Sequence, residues 1–181
     1  MRIIAGQAKG RAIKTPKDND ITRPALAKVR EAIFSSLNDI TGLVVMDVFA
    51  GSGSLGLEAL SRGADFSYFV EAHPKALACL IENIKQLGFE KQARVFKRNM
   101  PQGLANISVD KLPDIIFCDP PYDKNLLNPT LEALLQHNLI DPNCTVIVEH
   151  TRREVPEIAD LQLVKQRQYG QTFISQLRKN S

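Results

Sequence analysis

The chain has 181 residues, 44% hydrophobic and 24% charged, with a formal net charge of +3 at pH 7. That suffices for one domain with its own core, and no apolar run approaches the ~20 residues of a membrane-spanning helix. Three scattered cysteines (Cys79, Cys118, Cys144) without C-x-x-C spacing, and an opening Met1-Arg2-Ile3-Ile4-Ala5-Gly6 unlike a signal peptide, argue against a disulfide framework, a zinc site and export, and favour a reducing cytoplasm.

In chain order, Ile3-Ile4-Ala5 and Arg11-Ala12-Ile13-Lys14, separated by the stretch from Gly6 to Gly10, predict a short β-hairpin. Thr22-Arg23-Pro24 opens a helix, Pro24 being suited to the first turn. Leu26, Val29, Ile33 and Leu37 follow helical spacing, with Arg30 one step round from that face and Lys28 another. Residues 1–30 hold eight basic side chains against Asp18 and Asp20, a charge of +6, whereas the remaining 151 residues sum to −3. A basic arm on a mildly acidic body suits a phosphate backbone, and Lys9, Arg11, Lys14, Arg23, Lys28 and Arg30 are its candidate contacts. Residues 1–40 read as an N-terminal extension and 41–181 as the catalytic domain.

From Leu43 the pattern alternates. Strands are predicted at Leu43 to Val48, Phe66 to Glu71, Ala93 to Lys97, Asp114 to Cys118 and Thr145 to Glu149, and helices near 54–62, 74–87 and 126–138. Leu161 to Tyr169 and Thr172 to Leu177 resemble two strands joined around Gly170. Such alternation implies an α/β fold, a parallel sheet flanked by helices with an antiparallel hairpin at one edge. Ligands in such sheets bind at the carboxyl ends of the strands, where Asp47, Glu71, Asn99 and Asp119 all fall.

Between the first of these strands and its helix lies Phe49-Ala50-Gly51-Ser52-Gly53-Ser54-Leu55-Gly56, a G-x-G-x-x-G pattern in its proper strand-to-helix setting. Glu71, 20 residues past Gly51, stands where a carboxylate reaches ribose hydroxyls. Adenosine binding follows from either of two cofactor types. A nicotinamide dinucleotide would bring anionic pyrophosphate against Asp47, whereas S-adenosylmethionine carries a sulfonium and an ammonium that a carboxylate attracts. The methyl-donor reading is favoured.

Asp119-Pro120-Pro121-Tyr122 closes the apolar run Ile115-Ile116-Phe117-Cys118. Each proline fixes its own φ and holds the residue before it extended, so the backbone is stiff. A carboxylate, a fixed carbonyl and a ring face can hold a planar amine flat, accept its hydrogens and aim its nitrogen at an electrophile. His73, His137 and His150 share no ligand spacing and read as surface or loop histidines, with no metal expected.

The run Phe49-Ala50-Gly51-Ser52-Gly53-Ser54-Leu55-Gly56-Leu57-Glu58-Ala59-Leu60-Ser61-Arg62-Gly63, then Asp119-Pro120-Pro121-Tyr122, closely resembles the RsmD family. So do Met1-Arg2-Ile3-Ile4-Ala5-Gly6, Gly10-Arg11, Arg23-Pro24 and Val29-Arg30-Glu31, so the likeness spans nearly the whole chain. Members are bacterial enzymes that methylate a guanine N2 amine in 16S ribosomal RNA with S-adenosylmethionine. The resemblance implies a Rossmann-like methyltransferase fold with a mostly parallel seven-stranded sheet. It also implies that Asp47 and the loop Phe49, Ala50, Gly51, Ser52 and Gly53 hold the donor's methionine portion, Glu71 its ribose, and Asn99 with the Met100 backbone its adenine. Asp119 and the Pro120 carbonyl would accept hydrogens from the amine, with Tyr122 stacking on the guanine. Ala25, Ala27 and Lys28 depart from the family pattern, in which a threonine and an acidic-basic pair are usual. Adenine, cytosine and glutamine methyltransferases share variants of the tetrapeptide, so an N6-adenine enzyme is the alternative. A nicotinamide-dependent reductase lacks an evident substrate domain here, and a non-catalytic assembly factor sits poorly with an intact Asp119.

Overall fold

The computed structural model describes residues 1–16 and 23–180, with the backbone alone for residues 23–26. Seven strands form one sheet: β1 (Val44–Asp47), β2 (Phe66–Val70), β3 (Ala93–Phe96), β4 (Ile115–Cys118), β5 (Thr145–His150), β6 (Leu161–Tyr169) and β7 (Thr172–Lys179). Their order is β3-β2-β1-β4-β5-β7-β6, parallel through the first five and antiparallel at β5/β7 and β6/β7. The helices are α1 (Arg23–Ser36), α2 (Ser54–Ser61), α3 (Pro74–Leu87) and α4 (Leu127–Gln136). This is the α/β architecture expected from the alternation, hairpin edge included.

Each central strand is buried on both faces because its alternate residues feed two cores. Val45, Phe69, Phe117 and Ile147 meet Ile33, Leu57, Leu60 and Leu80 from α1, α2 and α3. Val44, Met46, Ile116 and Val146 meet Leu131 and Leu134 from α4. A continuous apolar run is the expected sequence of such a strand. Helix α2 lies hard against β2: a Cβ on Gly56 would come within 2.3 Å of the Phe69 ring and 2.7 Å of Ser67 Oγ. The third glycine of the loop pattern is therefore a packing requirement.

The N-terminal segment pairs as expected, but over a short stretch. One antiparallel bridge, Arg2 with Ala12, is flanked by the Ile3 amide on the Arg11 carbonyl at 3.0 Å, the Gly10 amide on the Ile3 carbonyl at 2.9 Å and the Ile13 amide on the Met1 carbonyl at 2.8 Å. Beyond it, Ile4 and Ala5 donate their amides to the Glu58 carboxylate of α2, at 2.8 and 3.0 Å. Ala8 donates to Ser61 Oγ at 3.0 Å and Gln7 to the Ser61 carbonyl at 2.8 Å, while Ile3, Ala8 and Ile13 are buried in the core. Gly6, at φ +79°, crosses so close to α2 that a Cβ would overlap the Ser61 carbonyl. Residues 1–16 are thus a packed part of the domain. Thr22, read as a helix cap, lies outside the described residues.

Candidate functional site

Asp47 ends β1, Glu71 and Asp119 directly follow β2 and β4, and Glu149 is the last residue but one of β5, so topology alone brings them to one edge of the sheet. Gly53 takes φ +86° at the start of α2, turning the chain back beneath the Gly51 loop. Asp47 is 2% exposed and accepts the Gly56 amide at 3.1 Å. Burial, only partly offset by that amide and reinforced by Glu71, raises its pKa to about 7. Asp47 thereby fastens the loop to α2 while keeping a carboxyl that a nearby cation would ionise. Glu71 accepts the Gly51 amide at 2.7 Å and the His73 amide at 2.6 Å, one on each oxygen. An ionised carboxylate has about four acceptor positions, so both oxygens can still take a hydroxyl.

Glu71, Phe49, Asn99 and Met100 line a cavity of ≈ 400 Å³ with Val48 and Val70. Asn99 is exposed, its carbonyl accepting the Gly103 amide at 2.7 Å. Ala50 is buried and receives its place from the Val70 carbonyl, which accepts its amide at 3.0 Å. A Cβ on Gly51 would meet nothing within 4 Å, so that glycine faces open space where a ligand can approach the backbone. The Ser52 carbonyl is held from below by Asn83 Nδ2 at 2.9 Å, the same amide nitrogen that donates to the Lys14 carbonyl.

On the other side of β1, the β4/β5 register pairs Phe117 with Ile147. Two residues further along each chain come Asp119 and Glu149. Burial first, then the Glu149 and Asp47 carboxylates, hold Asp119 well above the usual carboxylate range. Burial likewise raises Glu149. Tyr122 donates its hydroxyl to Glu149 Oε1 at 2.7 Å, with the Thr172 side chain nearby. Burial and Glu149 keep that phenol protonated well above its ordinary range. Tyr122 as a residue is nonetheless 39% exposed, with its hydroxyl end anchored. Pro120 is buried and Pro121 exposed.

The five basic candidates whose side chains are described do not share one exposed surface: Arg30 is buried and Arg11 and Lys14 are engaged with α3. Arg30 is corrected: it is 3% exposed, donates to the Arg2 carbonyl at 2.5 Å and lies 3.6 Å from Glu58 Oε2. A guanidinium enclosed in that way fastens the N-terminal segment and cannot reach a phosphate. Arg11 donates to the Leu87 and Gln86 carbonyls at the end of α3, and Lys14 pairs with Glu82. Lys9 and Lys28 are exposed, and the Arg23 side chain lies outside the described residues.

His150 is a second correction. It is 3% exposed, with Nε2 2.8 Å from Ser175 Oγ and its ring stacked on Phe173. Strand β5 runs one residue further than expected and pairs His150 with Phe173, enclosing the ring. Glu58, Asn83, Glu149 and Thr172 were missed by sequence reasoning. Glu149 alone had a signal, as an acidic residue ending a buried strand like the other three.

Residues 1–178 match the model of a family described as conserved hypothetical protein 95. A Bacillus subtilis protein provisionally named an rRNA methyltransferase is 34% identical over 183 residues, covering 99% of each chain. The ribosomal RNA small subunit methyltransferase D of Escherichia coli K12 is 36% identical over 150 residues, 82% of this chain and 74% of that protein. A solved Escherichia coli chain, provisionally named a methyltransferase, is 31% identical and superposes with a TM-score of 0.87, covering 100% of this chain and 98% of that one. The glycine loop at the end of β1, the acidic turn at the end of β4 and these matches agree, and the chain belongs to the RsmD family of methyltransferases.

Proposed function

We propose that this chain transfers the methyl group of S-adenosylmethionine to the exocyclic N2 amine of a guanine in 16S ribosomal RNA. One observation carries the reading: Asp119 and the anchored Tyr122 follow β4, which flanks β1 on the side opposite β2, so they share a sheet edge with the cavity that Glu71 and Asn99 line. The relatives' names supply the nucleic acid, since those proteins are called small-subunit rRNA methyltransferases.

The residues present fit such a donor. Glu71 keeps acceptor positions for ribose hydroxyls, Phe49 and Met100 offer an apolar slot for adenine beside Asn99, and open Gly51 admits the methionine portion. Bound there, the donor supplies a sulfonium methyl as electrophile. The guanine N2 lone pair is delocalised into its ring and is a poor nucleophile. Asp119 and the Pro120 carbonyl accept its two hydrogens, which raises electron density on nitrogen and favours pyramidalisation. Tyr122 fixes the plane of the base, and Glu149 fixes Tyr122, so much of the acceleration is orientation. Positive charge developing on nitrogen falls beside Asp119, where a low-dielectric setting strengthens its effect. No strong base is required, because the methylated ammonium sheds its proton readily. The target base reaches this turn from an unpaired segment or by leaving its stack. The cytoplasm is the expected compartment for such a substrate; among the described residues no helix is long and apolar enough to cross a membrane.

The test is methyl incorporation from labelled donor into undermethylated small subunits, naked 16S rRNA and DNA, followed by nucleoside analysis. N2-methylguanosine from the RNA is expected. N6-methyladenosine as the product, or donor binding without transfer to any of the three, would sink the reading.

A further inference from the structure

The charge of the arm and the charge of the C-terminal hairpin are disposed differently. Residues 161–181 hold Lys165, Arg167, Arg178 and Lys179 and no acidic side chain, whereas residues 31–160 carry 11 basic and 18 acidic side chains. A second cationic pole therefore sits on the β6/β7 edge, outside the N-terminal segment.

Its geometry is set by the strand register. Lys165, Arg167 and Tyr169 alternate along β6 onto one face and line a shallow groove against Ala32 and Ser36 of α1, floored by Ile147 and Ile174. Lys28, four residues before Ala32 and exposed, continues the α1 row. Glu149 pairs with Ile174, and Ile174 with Arg167, so all three lie in one row across the sheet. Two strand spacings, about 10 Å, then separate Arg167 from the carboxylate that anchors Tyr122. Lys165 follows on the next same-face position, about 7 Å along the strand, a distance over which one nucleic-acid strand presents about two phosphates. Among the described residues no acidic side chain lines the groove, and none of Lys28, Lys165 and Arg167 has an ion-pair partner. By contrast Arg11, Lys14 and Arg30 are engaged with α3 and α2.

We propose that the groove between α1 and β6 binds the sugar-phosphate backbone of the substrate RNA beside the extruded nucleotide, with Lys28, Lys165 and Arg167 as its phosphate contacts. The proposal rests on the RNA reading of the site above. Charge on an edge strand also discourages strand-to-strand association, a task that either sign performs. It does not account for a single sign throughout the hairpin, nor for an exposed Lys28 one helical turn before Ala32, which lines the groove opposite Lys165 and Arg167.

The experiment compares wild type with Lys165→Glu/Arg167→Glu, and with Lys28→Glu, in binding labelled undermethylated 16S rRNA across a salt series. Donor affinity is measured in parallel by calorimetry. As a control, Lys91→Glu/Lys111→Glu changes the charge equally on the β2/β3 side. The β6 double variant is expected to bind RNA at least about tenfold more weakly and to lose roughly 1.4 from the salt slope, about 0.7 per single-strand phosphate contact. Donor affinity and the control's RNA affinity should stay as in wild type. Because β6 side chains are exposed, the fold should persist, and the milder Lys165→Gln/Arg167→Gln should fall between the two. RNA affinity and salt slope unchanged in the β6 variants, or an equal loss in the control, overturns the proposal. If wild type itself transfers no methyl to RNA, the reading of the site fails and takes this surface with it. If wild type methylates RNA while the β6 variant binds as before, this surface alone is wrong.

Discussion

At the ends of β1 and β2, carboxylates are met by backbone amides: Asp47 by Gly56, Glu71 by Gly51 and His73. At the ends of β4 and β5, Asp119 and Glu149 stand close to each other, with the Tyr122 phenol bonded to one of them. The half proposed to hold the donor is therefore assembled by the chain's own hydrogen bonds, whereas the half proposed to hold the acceptor crowds two carboxyl groups together. A preformed half suits a ligand that must bind first and stay in register. A crowded acidic half suits a group that becomes positive only as the reaction proceeds. The two should respond separately to substitution.

The largest separation is expected from Asp119→Ala. Methyl transfer should fall about a thousandfold, about 4 kcal/mol, with donor affinity kept within about twofold. A parallel loss of donor binding, seen by calorimetry, would erase the distinction between the halves.

A pH series probes the donor half next. Asp47 titrates at about 7 in the fold against 3.8 in the unfolded chain, so the folded state holds the extra proton between those values. Stability in the donor-free protein should therefore be greatest below about pH 4 from this group and decline as pH rises towards about 7, by up to about 1.4 kcal/mol per pH unit. Raised Asp119 and Glu149 act in the same direction. Thermal melting of Asp47→Asn should show a flatter decline, and donor binding to wild type near pH 6 should release a proton, measurable by calorimetry in buffers of different ionisation enthalpy. Identical pH profiles for wild type and variant would remove Asp47 from this role.

Gly56→Ala strains the seat of α2 on β2. A loss of about 1–3 kcal/mol in stability, with weakened donor binding, is expected from forcing a methyl against Phe69. RNA affinity should be unaffected, and unchanged melting would show that α2 can shift freely. The smallest effect belongs to Tyr122→Phe, which removes the anchor to Glu149 but keeps the ring. A several-fold rise in KM for RNA, about 1 kcal/mol, should appear with donor affinity unchanged. If kcat and KM both match wild type, the hydroxyl does not position the ring.

Both halves were visible in the sequence because each is local. The glycine loop follows β1 within a few residues, and Asp119-Pro120-Pro121-Tyr122 follows β4 directly. Glu149 and Thr172 were not visible as neighbours of Tyr122, since they lie 27 and 50 positions away and meet it only when β7 pairs with β5. Arg30 looked like an exposed helical cation because periodicity identifies the α1 face that is buried and says nothing of the N-terminal segment folded over its flank. The short N-terminal hairpin was legible, whereas its attachment to α2 through Glu58, which takes the Ile4 and Ala5 amides, was not.

What the sequence by itself determined was the alternation of buried strands and helices, the sheet edge at which ligands gather, and the two motifs placed there. These follow from short-range sterics and hydrophobic period, which act between neighbours in the chain. What only the tertiary structure decided was which charges remain free. A cation is available to a partner only if no distant carboxylate or carbonyl has taken it, and that depends on contacts between segments far apart in sequence. Arg11, Lys14 and Arg30 are engaged within the N-terminal packing, while Lys165 and Arg167 stand exposed on the opposite edge.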